Sequence, residues 1–106
     1  MAMTKNYKGM VCNTETAELL LEKDYYNNGT WFSTKELYKA PEGYLFFNIY
    51  GNLNALYAPP HHIEPIHEDY GHAEYNLEIF LKNYFEDDAE YLEFCETHNV
   101  KPDQYL

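Results

Sequence analysis

The sequence predicts an α+β protein, an antiparallel β-meander of three to five strands followed by two acidic C-terminal helices packed on the sheet. Three observations lead there. Asn28-Gly29 and the Pro41–Gly43 segment punctuate the first half as tight turns between β-rich runs. From Glu68 onward the apolar period changes from two residues to three and four. The charge divides at about the same place. Residues 1–39 hold five acids and five lysines, whereas residues 40–106 hold the other 13 acids against two lysines, so the formal net charge of −11 belongs to the second part alone.

Taken in order, Gly9–Cys12 forms a short edge strand and Asn13–Thr16 a polar or helical turn. Glu18–Tyr26 and Trp31–Ala40 are hairpin partners across Asn28-Gly29. Ala40–Gly43 is a type I turn, with proline at its second and glycine at its fourth position. Tyr44–Gly51 is the central strand, with Leu45, Phe47 and Ile49 on one side and Tyr44, Phe46 and Tyr50 on the other. A proline-marked connection leads to a short extended segment at Ile63–Ile66. An amphipathic helix over 68–85 follows, with Tyr70, Ala73, Leu77, Phe80, Leu81 and Tyr84 inward and Glu74, Glu78 and Lys82 on the opposite face. A second helix fits 88–98, with Asp87 as N-cap and Glu90 three residues on. Ala89, Leu92 and Cys95 are its buried stripe, and Glu86, Glu90, Glu93 and Glu96 point outward. The chain reads as one domain over 1–106, with its sheet at 18–51 and an acidic helical part at 68–98.

Composition removes several classes of function. With 45% hydrophobic and 18% aromatic residues the chain folds. No apolar run reaches the length of a membrane span and no signal-peptide stretch opens the chain, so the expected location is the cytoplasm, without a membrane partner. The two cysteines, Cys12 and Cys95, lack a CxxC spacing and are read as structural. Arginine is absent and lysine scarce, so nucleic acid is not a direct ligand. A basic protein surface is the complementary partner. No GxSxG, P-loop or dinucleotide-binding turn is present, and no cofactor is implied; the chain is read as non-enzymatic.

The densest charge is FEDDAEYLEFCE, residues 85–96, with six carboxylates and no cation. Acids at a helix start favour the helix dipole, and acidic surfaces aid solubility. Neither reason explains the missing cations, because opposite charges at i,i+4 stabilise a helix and like charges do not. Carboxylates three or four residues apart stand about 6 Å from one another on a helix, a spacing similar to that of successive phosphates on one strand. Such a face can occupy a groove built for a nucleic-acid backbone. The candidate binding residues are Glu74, Glu78, Glu86, Asp87, Asp88, Glu90 and Glu93, with Tyr91 as a stacking group. A second candidate is the segment HHIEPIHEDYGH, residues 61–72, which collects His61, His62, His67 and His72 beside Glu64, Glu68 and Asp69. These are metal-ligand types, and a metal-binding enzyme or regulator is the alternative reading. The spacing disfavours it: His67 and His72 are five apart and HExxH is absent.

Asn13-Thr14-Glu15-Thr16-Ala17, Leu37-Tyr38-Lys39, Gly43-Tyr44 and the segment Ala55 to Ala58 match a recurring pattern. In these residues the chain resembles a group of small proteins carried by phages and mobile elements of Gram-positive bacteria. Some members are similar to anti-CRISPR proteins that inhibit Cas9. The group's GEGG stretch is replaced here by Ile49–Asn52. The resemblance implies an inhibitor of a Cas nuclease and carries over no catalytic residue. Composition by itself implies the broader class of acidic interaction module, which includes an antitoxin-like partner of some other basic protein.

Overall fold

The computed structural model describes residues 4–51 and 61–100. The fold is α+β, with an antiparallel four-stranded sheet and a two-stranded hairpin followed by two helices. These residues group into two compact units, Met1–Ile66 and His67–Leu106. Among the described residues no helix is long and apolar enough to cross a membrane.

The first unit begins with β1 (Thr4–Tyr7) and β2 (Met10–Asn13), joined through Lys8 and Gly9 at positive φ. The expected edge strand at Gly9–Cys12 is thus half of a separate hairpin, because Thr4–Tyr7 pairs with it. The Asn13 turn is held by Asn13 itself. Its Oδ1 accepts from the Glu15 N–H at 2.9 Å, and its carbonyl accepts from the Thr16 and Ala17 amides.

The main sheet runs β3 (Glu18–Asn27), β4 (Thr30–Lys39), β5 (Leu45–Gly51) and β6 (His61–Pro65) in simple sequential order. Asn28 and Gly29 take φ of 52° and 78°, the left-handed pair that a two-residue hairpin loop requires. The Gly43 amide donates to the Ala40 carbonyl at 2.8 Å, closing the turn at Pro41. The expected extended segment at Ile63–Ile66 is the fourth strand, which places β5 between β4 and β6. The residues 52–60, including the part of the recurring pattern at Ala55 to Ala58, lie outside the described residues.

Register sorts the side chains into two faces. Leu21, Leu37, Phe47 and Glu64 form one row on the first face; Lys23, Lys35, Ile49 and His62 form the next. On the second face run Leu19–Tyr38–Phe46–Pro65, then Glu22–Glu36–Asn48–Ile63, then Asp24–Thr34–Tyr50–His61. The hairpin strand β2 completes a core at one end of this second face, where Met10 and Cys12 join Ala40, Phe46 and Ile63. The Tyr44 hydroxyl fastens it, accepting from the Val11 amide and donating to the Val11 carbonyl. Burial pushes the Cys12 thiol up to about 11, so it stays an inert core group, as its spacing predicted.

A bulge interrupts the β3–β4 ladder. Tyr25 pairs with Ser33 and Tyr26 with Trp31, which leaves Phe32 as the extra residue. Gly51 lies opposite Ser33 at φ +148°. A Cβ there would stand 2.5 Å from the Phe32 carbonyl oxygen and 2.6 Å from the Ser33 Cα. Close backbone approach and a conformation foreign to L side chains both require glycine.

The second unit contains α1 (Ala73–Tyr84) and α2 (Asp88–Thr97). The expectation of a helix from residue 68 is corrected at its start. Gly71 has φ +51° and the Tyr70 amide donates to the His67 carbonyl, so residues 67–72 form turns before the helix begins. The second helix keeps nearly its expected bounds. The Asp87 side chain accepts from the Ala89 amide at 2.8 Å, confirming the N-cap. At the other end Asn99, at φ 57°, and Val100 donate back to Glu96 and Cys95, the Schellman arrangement.

Candidate acidic interface

The candidate residues do not all reach solvent. Glu86, Asp87, Asp88, Glu90 and Glu93 are exposed, as is Glu96. Glu74 is half-buried. Glu78 is a correction: it is only 2% exposed and sits on the same side of α1 as Leu77 and Leu81. The helical period alone cannot separate a flanking polar position from an outward one when the apolar stripe is broad. Glu78 therefore has no part in a docking surface.

The buried stripe of α2 is also corrected. Ala89 and Leu92 are exposed, Leu92 by 50%, while Tyr91 is 6% and Cys95 1% exposed. Tyr91, Phe94, Cys95 and His98 supply the i, i+3, i+4, i+7 pattern that wins, because two aromatic rings remove more apolar area from water than Ala89 and Leu92 can. Phe94 packs between Phe85 and His98, with ring centroids 5.5 and 4.5 Å away, and the Lys82 Nζ lies 5.9 Å from the Tyr91 ring centroid. Tyr91 is thus a core ring and cannot stack on a partner.

Rotating the stripe changes the face left outside. Leu92 now stands among carboxylates, with Asp88 one turn before it, Glu96 one turn after and Glu93 beside it. An apolar centre with a charged rim is the usual anatomy of a protein interface. With Tyr91, Phe94 and Cys95 inward, the helical period leaves Leu92 outward.

The first unit holds a polar network that sequence reasoning missed. The Asn48 side chain, 6% exposed, donates from Nδ2 to Glu36 Oε1 at 2.8 Å, and its Oδ1 lies 2.9 Å from His61 Nε2. The Tyr38 hydroxyl donates to the same Glu36 oxygen at 3.3 Å, and desolvation followed by the Glu36 charge pushes that phenol up to about 12. Glu22 faces Glu36 across the strands and shares a side-chain hydrogen bond with it. That bond, then desolvation and the charges of Glu36 and Asp24, raise the Glu22 carboxyl above its ordinary 4.5. Asn48, an amide inside the apolar run Leu45–Tyr50, was the available clue.

The sign of this shift gives an expected result. A carboxyl raised in the folded state stabilises fully below its unfolded pKa, and that stability is lost as pH climbs through the folded value. Glu22→Gln keeps a donor toward Glu36 at every pH. It is expected to raise the urea midpoint near neutral pH and to flatten the decline from weakly acidic to neutral pH. The gain is under about 1 kcal/mol because Glu22 is exposed. Urea melts across that pH range check it, and an unchanged slope contradicts the shared proton.

The histidine segment is not assembled. Among the described residues no group of three or more His, Cys, Asp or Glu side chains is placed to hold a metal ion. His61 is engaged with Asn48, His62 Nε2 lies 4.0 Å from Glu64 Oε2, and His67 Nδ1 accepts from the Asp69 amide at 3.0 Å.

Comparison of the chain with protein families, curated proteins and solved structures found no match.

Proposed function

We propose that the protein is a non-enzymatic acidic inhibitor that binds the basic surface of a nucleic-acid-handling protein and occupies the channel meant for nucleic acid. The observation that carries this reading is the outer face of α2, where Asp88, Glu93 and Glu96 border exposed Leu92, with Glu90 on the other flank of the helix and Glu86 and Asp87 extending the charge beyond the helix start. The last turn of α2 holds no basic residue. Helix faces under selection for stability alone interleave lysine among glutamates. A lysine-lined channel instead rewards a row of unneutralised carboxylates, while Leu92 supplies a desolvated anchor.

The target with the best support is a Cas9-type nuclease inside the bacterial cell. The family pattern at Asn13–Ala17, Leu37–Lys39 and Gly43-Tyr44 supports it, as does the chemistry of such enzymes, whose channels hold duplexes through backbone contacts from lysine and arginine. Displacement of labelled DNA from a Cas9–guide RNA complex by the purified protein tests the proposal.

A further inference from the structure

The sheet unit carries a second feature that the acidic face does not use. On the first face, beside the β-bulge, lies an open cavity of about 580 Å³ lined by Tyr25, Tyr26, Asn27, Phe32, Ser33, Lys35 and Ile49. This volume is within the roughly 300–1,000 Å³ range of small-molecule sites. We propose that the cavity is a binding site for a small organic anion with an aromatic or branched apolar body, its acid group meeting the Lys35 ammonium.

The bulge builds the site. As the extra residue of the ladder, Phe32 leaves the normal alternation and lines the same cavity as its neighbour Ser33. Tyr25 and Tyr26, which pair with Ser33 and Trp31 on either side of the bulge, line it from β3. The apolar body is thereby offered three aromatic rings and Ile49. Tyr26 is 63% and Phe32 37% exposed, large surfaces that a ligand would cover.

The choice of an anion follows from Lys35, the one charged residue in the lining. Its Nζ lies 4.8 Å from the Phe47 ring centroid, and Glu64 offers it a favourable charge. Burial nevertheless depresses the ammonium below its ordinary value, so desolvation outweighs the help from Glu64. An acid group brought into the cavity would restore what desolvation removes. Ser33 and Asn27 add hydrogen-bonding groups to the same wall.

The test uses the full chain and two fluorescent probes with the same ring system. One is 8-anilinonaphthalene-1-sulfonate, and the other is uncharged N-phenyl-1-naphthylamine. The wild type is expected to bind the sulfonate saturably, one per chain, about tenfold tighter than the neutral probe, a difference typical of one well-formed charged contact. Lys35→Met, which keeps most of the apolar stem, should remove that preference and leave the neutral probe's affinity in place. Tyr26→Ala, at an exposed wall position, should weaken both probes several-fold. Should Lys35→Met fail to fold, the ratio of the two probes on the wild type and the Tyr26→Ala result decide the matter. Absence of saturable binding, equal affinity for both probes on the wild type, or a folded Lys35→Met that retains the preference overturns the proposal.

Discussion

Reversing Glu86, Asp88, Glu90 and Glu93 to lysine is expected to weaken binding to the basic partner about a thousandfold while the fold survives. All four side chains are exposed, so none leaves a hole in a core. Asp87 is deliberately kept, since its carboxylate holds the Ala89 amide at the start of α2. The exchange does place cations in the first turn, at Asp88 and Glu90, where the helix dipole disfavours them by about 0.3–1 kcal/mol each. That penalty is small beside the effect on binding. Opposed charges at an interface attract, and reversal makes each of them repel, at a total of several kcal/mol. Glutamine at the same positions should fall between wild type and lysine. Titration calorimetry reads the affinity and far-UV circular dichroism the fold. Unchanged affinity in a folded reversal variant would reduce the acidic face to a solubilising surface.

Gly51→Ala is expected to destabilise the protein by about 3 kcal/mol or more. Two causes add. The backbone sits at φ +148°, where an L side chain is strained, and the new methyl would lie 2.5 Å from the Phe32 carbonyl oxygen and 2.6 Å from the Ser33 Cα. Both obstacles belong to the β4 backbone, so no side-chain rotation relieves the clash. Either β5 and β4 separate at this pair or the bulge rearranges. Urea denaturation measures the loss directly, and an unchanged midpoint would mean that the bulge is not where the register places it. The same substitution should disturb the cavity beside Phe32, linking the fold prediction to the anion site.

These two residue sets show how far the sequence could be read. The hairpin turns were legible because Asn28-Gly29 and Pro41–Gly43 state their backbone conformation in residue type, and these determine the order of β3, β4 and β5. The helix bounds are legible where a cap spells them out, as at Asp87, and are not at residue 68, where Gly71 at positive φ delays the helix to Ala73. The bulge at Phe32 was not legible, since its cause is a pairing between strands and no local pattern announces it. The acidic character of α2 was plain, yet its rotation was not. Choosing between the stripes Ala89–Leu92–Cys95 and Tyr91–Cys95 depends on what the rings touch, and that is a tertiary matter. The same gap puts Glu78 and Tyr91 on the expected interface and Leu92 in the expected buried stripe, where the structure has each the other way round.

The central claim is that this chain takes the place of nucleic acid on a basic partner. Its most direct test titrates the wild-type protein into a Cas9–guide RNA complex already holding a fluorescently labelled target duplex and follows anisotropy. The proposed function predicts displacement that saturates near one protein per complex and weakens as salt rises, because salt screens the exposed part of the attraction. DNA that stays bound at saturating protein, with the protein itself either absent from the complex or bound alongside the duplex, contradicts it.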